Sequence, residues 1–157
     1  MNKEHIKNCQ TLLTAYKTGR LGQTIMPEDS HPKFNSNEER LSYFTLPMSL
    51  NYQRNSYTLW ENALKTFNDN QTKQVFDINS KLNEATLRKY LMKYKLALQP
   101  NKHINTWSTI SKTINDEFET FENLFKQSEY DFLKLKQIIQ KDYKKEFPYL
   151  SGPKIFN

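Results

Sequence analysis

Apolar residues recur along this chain at intervals of three and four, with polar residues between them, which is the spacing of one helix face. Ile6, Cys9, Leu13 and Tyr16 share such a face over 3–17, and Gly19 follows as a stop. Over 20–34 the pattern lapses into a stretch with two prolines and no period, which reads as a loop or arm. Ser36 and Glu39 stand at capping-box spacing ahead of a second stripe opened by Leu41 and Phe44. Pro47 falls inside that stripe and predicts a kink or a break. A third helix is expected over 53–67, with Tyr57, Trp60, Leu64 and Phe67 read as core, and 68–74 as a polar turn. Leu87, Tyr90, Leu91 and Tyr94 mark a fourth over 84–94, broken by 95–100. Ile104, Trp107, Ile110 or Ser111, and Ile114 mark a fifth over 101–118. Two further helical stretches follow, 121–126 and 131–146, the latter with Phe132, Leu135, Ile138 and Ile139. No strand-like alternation and no internal repeat occurs. The expected fold is all-α, a compact helical bundle of six to seven helices. Residues 1–33 form an N-terminal helix and proline-containing arm, and 34–157 the main helical domain.

Composition tests whether such a chain folds at all. A hydrophobic content of 36% and a mean hydropathy of −0.86 point towards disorder. The 10 Phe, 9 Tyr and 2 Trp point the other way, because disordered chains are poor in aromatics. Three glycines, Gly19, Gly22 and Gly152, are too few for a phosphate-binding Gly-rich loop, a dinucleotide fingerprint or a β-sandwich. Cys9 is the single cysteine, so no internal disulfide forms and no thiolate metal cluster can be built. His5, His31 and His103 are scattered, and neither a metal nor a cofactor is expected. No run approaches a membrane span and the polar start is no signal peptide, so a reduced, cytoplasmic setting is expected. The 23 basic against 17 acidic residues give a net charge of +6, which suits an anionic partner such as nucleic acid. Charge alone does not decide the partner.

Candidate chemistry concentrates between Phe147 and Ile155. A helix is expected to end at Phe147-Pro148, Leu150 to pack inward, Gly152 to allow a tight turn, and Pro153 to open a new helix. Such a turn can aim backbone N–H groups at a phosphate, with Lys154 adding positive potential. Leu150, Ser151, Gly152, Pro153 and Lys154 are therefore candidate DNA-contacting residues; a plain helix–turn–helix corner is the other reading. The basic run Lys134, Lys136, Lys141, Lys144 and Lys145 is either a solvated face or an extension of that surface.

Leu150-Ser151-Gly152-Pro153-Lys154-Ile155 resembles the helix-hairpin-helix of the endonuclease III-like DNA glycosylases, whose hairpin reads Leu-Pro-Gly-hydrophobic-Gly-x-Lys. Upstream segments resemble the family in the same order: 34–41 its entry into the first core helix, and 46–53 its Leu-Leu-Ser-x-Gln segment. The stretch 90–107, with Asn101-Lys102-His103-Ile104, is similar to its Ile-Gly-Leu-Tyr-Asn-x-Lys-Ala turn. The resemblance implies a DNA partner, damaged or abasic, and base-excision chemistry in which a nucleotide is flipped from the stack. It implies Lys154 as the catalytic amine, and Asn51 or Gln53 as the amide that fills the gap left by the flipped base. The hairpin here is shorter than the family's and lacks its second glycine. The family's assisting Asp falls beyond Asn157, so the chain is expected to be a shortened relative, binding DNA without assured catalysis. The alternative is a non-enzymatic helical module that binds nucleic acid or another protein.

Overall fold

The computed structural model describes residues 3–21 and 29–152, and these form two units, Met1–His31 and Pro32–Asn157. In the first, α1 (Lys3–Lys17) has the expected bounds, but none of its residues is buried. Its end is a Schellman turn: Gly19 takes φ 69°, its N–H donates to Tyr16 O and Arg20 N–H reaches Ala15 O.

The second unit holds α2 (Asn37–Met48), α3 (Ser56–Asn68), α4 (Glu84–Lys93), α5 (Pro100–Thr113), α6 (Phe121–Gln127) and α7 (Phe132–Gln137). Among the described residues there is no strand, so the all-α bundle holds. Among the described residues five helix starts are fixed by side-chain caps on a backbone N–H three residues on: Ser36, Asn55, Asn83, Thr120 and Asp131. At Ser36 the capping box reaches one residue further back than its usual form, because Glu39 accepts from Asn35 N–H at 2.7 Å. Burial pushes the Glu39 carboxyl up, and the Asn35 N–H with the Lys73 ammonium outweighs it, leaving its pKa below the ordinary value.

Several expected boundaries move, each for a local reason. Helix α2 carries Pro47 and ends one residue later, so the proline terminates the helix rather than breaking it midway. Helix α3 starts at Ser56, because Asn55 is the cap. The 68–74 turn contains the start of a 3-10 turn, Thr72–Phe76, which buries Val75 and Phe76. Helices α5 and α7 run on into π-helical segments, Ile114–Phe118 and Ile138–Asp142; the first ends at Phe118, where the fifth helix was expected to end. The last ends well before Phe147-Pro148, where a helix terminus was expected.

The core is aromatic at its centre. Tyr43 is 1% exposed, and Phe34, Phe44, Trp60, Phe67 and Phe76 lie 5.3 to 5.7 Å from it between ring centroids. Burial raises the Tyr43 hydroxyl pKa. Beside this cluster Trp107 donates its indole N–H to Val75 O at 3.0 Å. Of the stripe expected on α3, Trp60 and Phe67 are buried, but Tyr57 is exposed. Leu59 and Ala63 take its place, which rotates the buried face by about one residue. On α7 Phe132 is likewise exposed, and Ile139, in the π-helical segment that follows, carries the burial. Glu38 ties distant elements together: its carboxylate accepts from Phe121 N–H at 2.8 Å and Glu122 N–H at 3.0 Å, capping α6 from α2.

Candidate nucleic-acid interface

The turn after α2 and the turn at 149–152 lie far apart in sequence and meet in space. The Tyr52 and Tyr149 rings stand 5.7 Å apart, tilted by 32°. A third segment joins them: Lys102, in the first turn of α5, sets its ammonium 4.9 Å from the Tyr149 ring centroid and 5.8 Å from that of Tyr52. No carboxylate pairs with Lys102 among the described residues. The first turn of α5 contains no acidic residue. The result is an exposed tyrosine and a half-buried one beside a cation that no described carboxylate neutralises.

Each segment is held in place from behind. Arg54 donates from Nη1 to Leu96 O at 2.6 Å and from Nη2 to Lys95 O at 3.3 Å, so the post-α2 turn is clamped to the turn that leads into α5. Its Nε is enclosed and unpartnered, and burial lowers its pKa. Asn62 adds a hydrogen bond to Lys95 O at 3.2 Å. Lys95 can expose that carbonyl because it sits at φ 56°. In the same turn Leu98 N–H donates to His103 Nδ1 at 3.1 Å. Burial first, and then Arg54 and Lys102, push His103 down to about 4, so the imidazole is neutral and free to accept. At the far segment, buried Leu150 anchors the chain, and Ser151 ties it to the basic run through Lys144 O at 3.2 Å.

Of the residues singled out in the sequence, Leu150 packs inward as expected, at 6% exposure. Ser151 N–H bonds Phe147 O, and Gly152 N–H bonds Tyr149 O. The left-handed conformation of this turn falls on Tyr149, at φ 66°, and not on Gly152. A Cβ at Gly152 would lie 3.3 Å from Tyr149 O, so close approach is what the glycine serves. Asn51 is engaged with Ser56 Oγ at 3.2 Å, whereas Gln53 is exposed, at φ 55°. Pro153 and Lys154 lie outside the described residues. Asn51, Gln53 and the 149–152 turn are thus brought to one region. Tyr52, Arg54 and Lys102, to which sequence reasoning assigned no role, connect them. Their signal is tertiary: nothing in the local pattern of any one segment pairs it with the other two.

Among the described residues no group of three or more His, Cys, Asp or Glu side chains could hold a metal ion, and no helix is long and apolar enough to cross a membrane. No known protein family, curated protein or solved structure matches this chain.

Proposed function

We propose that this protein binds DNA through the face made by Tyr52, Lys102 and the 149–152 turn, in the manner of a base-excision DNA glycosylase helical domain. The observation that carries the reading is the convergence of the two segments singled out in the sequence around a cation that no carboxylate among the described residues neutralises. A phosphate fits that position, since Lys102 supplies charge and the first N–H groups of α5 add positive potential. Gln53 is the exposed amide at the same edge and the better placed of the two candidates for a base contact, Asn51 being occupied by Ser56. Lys154 is the candidate amine for chemistry. As a lyase on an abasic site, its neutral amine would add to the C1′ aldehyde of the ring-opened sugar, and the C1′ oxygen would leave as water as the C=N bond forms, giving a Schiff base that borohydride reduces to a stable amine.

The test is fluorescence anisotropy on a labelled duplex containing an abasic site. Binding is expected to weaken with salt, and to weaken further on Lys102→Ala, with the slope of log K against log salt falling by about 0.9 for the lost phosphate contact. Absent or salt-independent binding would sink the proposal. Borohydride trapping on the same duplex tests the lyase step: a covalent adduct lost on Lys154→Ala supports it, and no adduct with the intact chain refutes it.

A further inference from the structure

Resting on the DNA-binding reading above, we infer that the Tyr52–Tyr149–Lys102 face takes an unpaired nucleotide rather than intact duplex, with the base stacked on Tyr52 and its phosphate at Lys102. Tyr52 is 45% exposed, with the Tyr149 ring 5.7 Å away at a tilt of 32°, so much of the Tyr52 side chain is open to solvent beside a second ring. An intact duplex presents base edges and phosphates at its surface but no base faces. An open tyrosine ring therefore gains little from duplex and much from a base already out of the stack. The ammonium beside both rings supplies the second half of the same recognition, because a nucleotide carries its phosphate within reach of its base.

The backbone adds an independent sign. Gln53 and Tyr149, both non-glycine, hold left-handed conformations at φ 55° and 66°, immediately next to Tyr52 in one turn and at the second ring itself in the other. Such conformations cost free energy, and persist where surroundings over-determine them. Here the surroundings are the Arg54 clamp on Lys95 and Leu96 and the burial of Leu150. Both rings are thus set by the fold before a ligand arrives. With the Asn51 amide held by Ser56, Gln53 is the exposed amide left beside the aromatic contact at this edge.

The experiment compares three labelled probes on the full chain: a short oligothymidylate, an intact duplex, and the same duplex with a short single-stranded gap. Single strand and gapped duplex are expected to bind about tenfold or more tightly than intact duplex. Tyr52→Ala should weaken single-strand binding roughly 5- to 150-fold, and weaken intact-duplex binding by a clearly smaller factor. Tyr52→Phe, which keeps the ring, should retain single-strand binding. Equal affinity of wild type for single strand and duplex overturns the inference while leaving DNA binding intact, and so does an unaltered Tyr52→Ala. If no probe binds, the inference and the DNA reading fall together. The wild-type comparison needs no variant to fold.

Discussion

Arg54 is the residue on which the candidate interface most depends. Its guanidinium spans two carbonyls whose residues differ sharply in burial, since Leu96 is fully buried and Lys95 exposed. Arg54→Ala is expected to destabilise the fold by about 2–3 kcal/mol, measured as a shift in denaturant midpoint, because a charged donor to two acceptors is lost. Arg54→Lys should recover only part, since a single ammonium cannot bridge two carbonyls as a planar fork does. His103 makes a prediction in pH. Its folded-state pKa is depressed from 6.5 to about 4, so the unfolded chain takes up the proton first. Stability attributable to His103 is complete above its ordinary pKa and is lost as pH falls from about 6.5 to about 4, by up to about 3 kcal/mol. Urea unfolding across that window should show the slope in wild type and a weaker one in His103→Gln. Asp69 acts in a separate window. The Lys93 ammonium and then the Tyr94 hydroxyl hold its carboxyl well below the usual carboxylate range, so its contribution disappears only as pH drops below 3.8.

Among the elements, α6 is the most exposed to a single change. It has only 7 residues, too few to persist alone, and its first N–H groups are satisfied by Thr120 and by Glu38 from α2. Glu38→Ala should cost about 1–2 kcal/mol, and amide exchange should rise in 121–127 before it rises in α3. Equal exchange throughout would mean that the cap is not what secures this helix. Helix positions were largely legible from periodicity and caps, since 3.6-residue spacing and Ser, Asn and Asp at helix starts are local signals. The 3-10 turn and the two π-helical extensions were not, because each depends on where a neighbour buries Phe76, Phe118 or Ile139. The interface was half legible. Local chemistry marked the 149–152 turn and the resemblance marked Asn51 and Gln53, but their meeting through Tyr52, Lys102 and Tyr149 is set by packing that no single segment encodes.

For the molecule as a whole, the core of the unit Pro32–Asn157 is continuous, from the Tyr43 ring cluster through Trp107 to Phe121 and Phe147. Leu46 is fully buried within it, and Leu46→Ala is expected to cost about 2–5 kcal/mol by leaving a cavity, read from thermal or urea unfolding. Both tryptophans of the chain, Trp60 and Trp107, are buried in this unit. The helix of the other unit, α1, has no tryptophan and no buried residue. The optical consequence is a division of labour between probes. Indole emission reports only the larger unit, whereas backbone circular dichroism sums both. With no buried side chains to hold it, α1 should give up its share of ellipticity at lower temperature than the emission change. The two melting curves of one chain should therefore part company, and their separation reads the unfolding of α1 by itself.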